Sequence, residues 1–366
     1  MKILYTLNSS NYGGMEKTVL DLVRGLDSRY ETYVICPKGD LYSEFEKFSN
    51  ITPHKPIRRF DLKYLNFLIK FLKKNNIDVI HANEPRIVFH SLIAGFLAGT
   101  RLRISHTHTP ISMWQVPFFN KILNVIFNSL TVNLFATYEI ALTNSIKKQK
   151  VKEFILPYKL KVIPNCIDEE FLKEIDGYKN KSRNILSKIP HQNKFIFLYL
   201  SRLTKEKNQI QLIEAFNSVA KDLPDSILVI AGKGSDYTFL KKRIVSLNLE
   251  SRIFILTEIS EADKIDLYMN SNCFVFPSLA EGFGITLIEA MYSCYPVLSS
   301  NLEVLREVSG NRLFYFKTGN VKSLASKLKE VFSVKESATK LKNNKKFVKD
   351  NYSFTNYVKN YEKIYS

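Results

Sequence analysis

Short apolar runs alternate with amphipathic stretches along almost the whole chain. MKILYTLN is a short strand pattern, SSNYGG is a turn, and MEKTVLDLVRGL then places apolar residues at helical spacing. YETYVICP predicts a second strand, Arg58 to Asn76 a helix, and IDVIHANE a third strand ending near His81 and Glu84. FHSLIAGFLAG predicts a helix and RLRISHTHTP a fourth strand, while EIALTNSIKKQ and KLKVIPNCID add two short ones with polar ends. Strands and helices that alternate in this way form a mostly parallel sheet covered on both faces, an α/β architecture.

The pattern breaks after Ile163-Pro164-Asn165, where a polar run extends from Glu169 to Lys194. It then starts afresh. FIFLYLSRL, SILVIAGKG, RIFILTE and CFVFPS read as strands, interleaved with helices from Asn208 to Val219, from Tyr237 to Leu247, near Lys264 to Met269, and after Glu281. PVLSS and RLFYF are further short strands. With 366 residues, too many for one ordinary core, the reading is two parallel α/β domains, 1–164 and 165–349. A last helix, about 350–366, spaces Phe354, Tyr357 and Tyr361 for packing and is expected to lie back on the first domain. Active sites of such sheets sit beyond the carboxyl ends of the strands, and the cleft between two domains is the default place for one.

Composition narrows the class. The chain is 45% hydrophobic with no low-complexity tract, so it is globular. Cys36, Cys166, Cys273 and Cys294 lie far apart without a CxxC pair and read as buried thiols in a reducing compartment, with neither zinc nor a disulfide framework. No run reaches the roughly 18 apolar residues that suggest a membrane span. The net charge of +18 suits the steering of nucleic acid, an anionic membrane or a phosphorylated substrate. Nucleic acid has little support, since zinc-finger spacing, RNP-like strands and an arginine-rich recognition helix are all missing. Two basic, apolar segments instead suit an anionic membrane surface. One is Arg58 to Asn76, with Leu62, Leu65, Leu68, Ile69 and Leu72 near one face; the other lies between Arg101 and Lys161, where nine Lys or Arg and two acids surround VPFFNKILNVIFNSLTVNLFATY. The alternative is a pair of core helices with solvated lysines.

The most chemically explicit stretch is FPSLAEGFGITLIE, Phe276 to Glu289. It reads as a strand end, a turn carrying Glu281, and a helix containing Glu289. Gly282 and Gly284 permit tight turning, and the open amides of Gly284, Ile285 and Thr286 attract a phosphate. The two glutamates would repel a phosphate and suit hydroxyls on either side of it. Arg202 and Lys207, in SRLTKEKNQ after a strong strand, neutralise a diphosphate or are an ordinary surface pair. Gly13-Gly14 is a close-approach turn or a plain one. Gly232 and Gly234 in AGKG suit a nucleotide edge or simple turning. His106 and His108 are expected at the rim of the cleft, touching a sugar hydroxyl or, if charged, a phosphate; the alternative is a structural role in the core. Trp114, in the loop PISMWQVPFF, touches an acceptor or the membrane interface or packs in the core. GxGxxG and GxxxxGK[ST] are both missing, which removes nicotinamide, flavin and standard P-loop chemistry.

The combination of YGGMEK, RISHTHT, VIPNCID, LSRLTKEKN, VIAGKG and above all EGFGITLIE, an E-x7-E pattern, resembles the retaining glycosyltransferases of the GT-B fold in family four. It is most similar to members that build bacterial capsular, exopolysaccharide or O-antigen chains. The resemblance implies two Rossmann-like domains facing across a cleft, the second binding a nucleotide sugar. Glu281 would hold donor-sugar hydroxyls and Glu289 the ribose; Arg202 and Lys207 would clamp the diphosphate with the amides of Gly284, Ile285 and Thr286. Gly14 would approach the donor phosphate and His106 the sugar. The implied reaction is metal-free transfer, with no cofactor, from a UDP-sugar to a hydroxyl of a lipid-linked saccharide. The implied location is cytoplasmic, on the inner face of the plasma membrane. Cys166 and Cys294 stand where relatives usually have glycine, and Thr257 where they often do, at a position near the nucleotide. The competing readings are a sugar-nucleotide epimerase or hydrolase of the same fold and a non-catalytic partner in polysaccharide assembly.

Overall fold

Among the described residues every paired strand runs parallel to its neighbour, in two separate sheets. A computed structural model describes residues 1–178, 185–334 and 338–366. The chain divides into one unit formed by Met1–Cys166 with Phe354–Ser366, and a second formed by Ile167–Ser353.

The first unit runs β1 (Lys2–Thr6), α1 (Gly14–Gly25), β2 (Glu31–Cys36), α2 (Tyr42–Glu46), β3 (Asn50–Pro53), α3 (Leu62–Asn75), β4 (Val79–Asn83), α4 (Pro85–Ala98), β5 (Leu102–His106), α5 (Phe118–Phe135), β6 (Tyr138–Ala141), α6 (Asn144–Lys152) and β7 (Leu160–Val162). Its strand order is β3-β2-β1-β4-β5-β6-β7. The order reverses between β1 and β4, which makes their carboxyl ends the switch point of the sheet. Alternation along β1 sends Ile3 and Tyr5 into one core cluster with Val19 and Val23 of α1, and Leu4 into another with Leu68 and Leu72 of α3.

The second unit continues with α7 (Glu169–Asp176), β8 (Phe195–Leu200), α8 (Gln209–Val219), β9 (Ser226–Ala231), α9 (Tyr237–Ser246), β10 (Ile253–Leu256), α10 (Glu261–Met269) and β11 (Cys273–Phe276). It ends with α11 (Ile285–Ser293), β12 (Val297–Ser300), α12 (Glu303–Ser309), β13 (Phe314–Phe316), α13 (Val321–Phe332) and α14 (Ala338–Asn351). The order β10-β9-β8-β11-β12-β13 reverses between β8 and β11. The last helix, α15 (Phe354–Tyr365), belongs to the first unit, where Tyr357, Val358, Tyr361 and Tyr365 join the β1 cluster.

Several sequence expectations shift. The helix read from Arg58 begins at Leu62, because the Asp61 carboxylate accepts from the Tyr64 amide and caps it there. SIKKQ, read as the end of a strand, opens α6 instead, with the Thr143 side chain accepting from the Ile146 amide. β3 and the short α2 went unread, since neither carries a clear period. Part of the polar run, residues 179–184, lies outside the described residues.

Candidate active site

The loops after β8 and β11 meet at the switch point of the second sheet. The Leu279 amide donates to the Glu206 carbonyl at 2.8 Å, and the Asn208 side-chain amide to the Pro277 carbonyl at 3.3 Å. The β9 loop packs onto the same place: a Cβ on Gly232 would lie 2.0 Å from the Ser201 carbonyl oxygen, and one on Gly234 2.1 Å from that of Leu203. These glycines are therefore where two backbones touch, and they hold the turn that carries Arg202. The Arg202 side chain is exposed and makes no ion pair or hydrogen bond among the described residues.

Lys207 behaves differently from Arg202. Its ammonium donates to Glu281 Oε1 at 2.5 Å and lies 5.9 Å from the centre of the Phe276 ring. The Ser278 hydroxyl donates to the same carboxylate oxygen at 2.8 Å, so Oε1 carries both contacts. Glu281 is buried, 6% exposed. Gly284 adopts φ +95°, a region that favours glycine, and sets the start of α11. The Leu287 and Ile288 amides return to the Gly284 carbonyl, which leaves the amides of Gly284, Ile285 and Thr286 as open donors of that helix end among the described residues.

One turn into α11, Glu289 forms a second carboxylate–lysine pair. Lys264 of α10 donates to its Oε1 at 2.7 Å, and the Tyr268 hydroxyl lies 3.1 Å from Oε2. Burial raises the Glu289 pKa while the lysine opposes the rise. The arrangement is an anion-attracting helix end with a lysine-held carboxylate on each side. Sequence reasoning missed Lys264, Tyr268 and Ser278. Lys264 had no visible signal, because Glu261 and Lys264 at i,i+3 resemble an ordinary solvated helix pair.

In the first unit the histidines differ from expectation. His106 is 1% exposed and does not stand at a rim, because the His108 ring stacks on it at 3.8 Å. On its other side lie His81, with ring centres 5.6 Å apart, and the Tyr361 hydroxyl of α15, 3.4 Å from Nδ1. The Tyr365 hydroxyl is 2.9 Å from both His81 Nδ1 and the Tyr5 hydroxyl, and His108 Nε2 is 3.2 Å from Asn83 Oδ1. Burial drives the pKa of His81 and His108 down to about 3, and that of His106 falls well below its ordinary value, helped by His108, His81 and Lys150. All three are neutral at pH 7, so they are hydrogen-bonding groups and not phosphate-binding cations. A fully buried ion pair, Lys150 with Glu139, engages the carbonyl and amide of Thr107, the residue between His106 and His108. This pair was not read from the sequence.

Gly14 opens α1, but the Glu16 side chain folds back so closely that a Cβ on Gly13 would lie 2.5 Å from its carboxylate. Trp114 is partly buried in the turn before α5. All four cysteines are free and buried. Thr257 directly follows β10 and is partly buried.

The fold has close structural counterparts. The structure of Anabaena HepE in complex with UDP and glucose superposes with a TM-score of 0.84, covering 100% of this chain and 99% of that one at 21% identity. Residues 12–171 match the family described as Glycosyltransferase Family 4, and residues 181–347 match Glycosyl transferases group 1. The chain is a family-four glycosyltransferase. The transferase is 27% identical over 353 residues to the capsular polysaccharide biosynthesis glycosyltransferase CapH of Staphylococcus aureus, covering 92% of each. It is also 30% identical over 251 residues to an Escherichia coli UDP-Gal:alpha-D-GlcNAc-diphosphoundecaprenol alpha-1,3-galactosyltransferase, over 66% of this chain and 62% of that one. Its two parallel sheets are those of the GT-B fold.

Proposed function

We propose that the transferase moves a hexosyl or N-acetylhexosaminyl group from a UDP-sugar to a hydroxyl of a lipid-linked saccharide in the assembly of a bacterial surface polysaccharide. Configuration at the anomeric carbon is retained. The carrying observation is the helix end of α11 flanked by the pairs Lys207–Glu281 and Lys264–Glu289. The names of the S. aureus and E. coli relatives support the pathway and the UDP donor.

In this reading the diphosphate lies on the amides of Gly284, Ile285 and Thr286. Lys207 turns from Glu281 to a phosphate oxygen, and the exposed Arg202 closes on the other side. Glu281, released from its lysine, accepts from hydroxyls of the donor sugar, and Glu289 from those of the ribose. The bond from the anomeric carbon to the diphosphate oxygen breaks, with its electrons leaving on the diphosphate, where the two cations stabilise them. The acceptor oxygen bonds to the same face, and its proton passes to the departing phosphate oxygen. Two protein cations meet the diphosphate charge, so the reaction takes no metal ion and EDTA should leave the rate unchanged. Gly14 and His106 are assigned from the family resemblance; His106 acts from beneath His108 as a positioning group. The transferase works at the cytoplasmic membrane surface, where its acceptor lipid resides.

The test is a panel of UDP- and GDP-sugars offered with and without undecaprenyl-diphosphate-linked acceptors. Product on the lipid acceptor is expected. Sugar release or epimerisation that ignores the acceptor would support the epimerase or hydrolase reading, and binding of neither nucleotide would point to a non-catalytic partner.

A further inference from the structure

Helix α5 is built inside out. Its buried residues are Asn128, Ser129, Thr131 and Val132, three of them polar. Phe119, by contrast, is 78% exposed, Leu134 67% and Leu123 60%, and Ile126 and Leu130 continue the same stripe at helical spacing. A helix on a solvated surface turns its apolar stripe to the core. In the same unit α3 does so, burying Tyr64, Leu68 and Leu72 and leaving Lys63, Lys70, Lys73 and Lys74 outside. The inward polar residues of α5 are also accommodated: the Ser129 and Thr131 hydroxyls donate to the carbonyls of Ile126 and Phe127.

The exposed apolar surface continues on both flanks. Arg59 donates to Asn124 at 2.9 Å, and Phe60 meets Phe127 with ring centres 5.4 Å apart, which brings exposed Ile57 and Leu62 alongside. On the other flank Asn133 donates to the Phe154 carbonyl and accepts from the Leu156 amide, placing the exposed side chains of Phe154 and Leu156 there.

Charge identifies the occupant. The only acids between Arg101 and Lys161 are Glu139 and Glu153, and both are buried, at 0% and 4% exposure. Glu139 is paired with Lys150, and Glu153 accepts from the Ser112 amide. The exposed ions of this stretch are therefore cations, joined by Arg58 and Arg59 at the α3 flank. A second copy of the chain would set the same cation-rimmed face against itself across a two-fold axis. An anionic bilayer satisfies both features at once.

We propose that α5 and its flanks form a bilayer-insertion face. The helix lies in the plane of the interface, its apolar stripe in the acyl boundary and its rim cations among anionic headgroups. This deepens the reading of a lipid-borne acceptor and relocates the membrane contact. Of the two basic, apolar segments in the sequence, α3 packs in the core and α5 faces the lipid.

The experiment measures co-sedimentation of the full chain, without donor or acceptor, with vesicles of phosphatidylglycerol and phosphatidylcholine or of phosphatidylcholine alone, at low and high salt. Binding to the anionic vesicles is expected, weaker by several-fold at high salt. The triple variant Leu123→Gln/Leu130→Gln/Leu134→Gln should bind at least tenfold more weakly with an unchanged melting temperature. The pair Arg58→Gln/Lys152→Gln should lose several-fold at low salt only. A wild-type chain that stays in the supernatant at low salt overturns the inference, as does a triple variant that binds normally. So does light scattering that shows the face joining two copies with no vesicle binding. UDP binding, followed in parallel, separates this inference from the donor reading, because each can fail while the other stands.

Discussion

Lys207 holds Glu281, a carboxylate that the proposed chemistry needs free, while Lys264 keeps Glu289 charged and oriented. An ion pair in a partly buried site keeps both partners oriented, and a diphosphate exchanges the carboxylate for a better anion at little reorganisation cost. Lys207→Ala should therefore lower kcat/KM for transfer by about a hundredfold to a thousandfold, the size seen when one preorganised donor to a leaving charge is lost. Transfer at the wild-type rate would remove Lys207 from the clamp. Lys264→Met leaves the Glu289 carboxylate with the Tyr268 hydroxyl as its side-chain partner among the described residues, and an uncompensated buried carboxylate costs about 3 kcal/mol or takes up a proton. The expected result is weaker UDP binding and a lower melting temperature, both read by calorimetry. The histidine stack makes a pH prediction. His81 and His108 have folded pKa values depressed to about 3, below their unfolded values, so the unfolded chain binds more protons between those limits. Stability is complete above about pH 6.5 and falls toward pH 3, by up to about 1.4 kcal/mol per pH unit for each such histidine. Thermal melts between pH 7 and 5 check this, and His81→Gln should flatten the slope.

At the scale of elements, loops on different strands are locked together by backbone contact. Gly234 is required by space: its Cβ would enter the Leu203 carbonyl, and Leu203 in turn donates its amide to the Lys233 carbonyl at 2.8 Å. Gly234→Ala should cost about 2 kcal/mol of stability through overpacking and displace the turn that carries Arg202. A melt and a UDP titration together test this, with both values expected to fall. Helices α3 and α5 make the complementary point. Both read as amphipathic and basic in the sequence, yet α3 buries Tyr64, Leu68 and Leu72 while α5 displays its leucines, because Asp61 and the packing of α3 against α4 fix the rotation of α3. The period of a stripe says that a face exists and is silent about what covers it.

At the scale of the molecule, the chain leaves its first unit at Ile167 and returns to it with α15. Four side chains of α15 are buried in the β1 cluster, and the hydroxyls of Tyr361 and Tyr365 approach the histidine stack. Truncation after Ser353 should therefore open the first unit while leaving the core of the second intact. Limited proteolysis should cut within 1–166 and spare residues 185–334, and UDP binding should survive in the second unit. Loss of UDP binding on truncation would show that the two folding units are not independent.

Periodicity and turn chemistry in the sequence were enough to specify two parallel α/β units, the restart after the polar run, and the turn from Phe276 to Glu289 with its helix start. Those features are local: strand runs, glycine positions and helix ends depend on residues a few places apart. The partners of the chemical groups were decided by tertiary structure alone. Lys207 reaches Glu281, and Lys264 reaches Glu289, across 74 and 25 residues. His106 is covered by its own neighbour in sequence and by a tyrosine 255 residues away. The outward face of α5 is likewise a property of what packs beneath it. Burial, pairing and the rotation of a helix are set by contacts between segments, and no local pattern encodes which segment arrives.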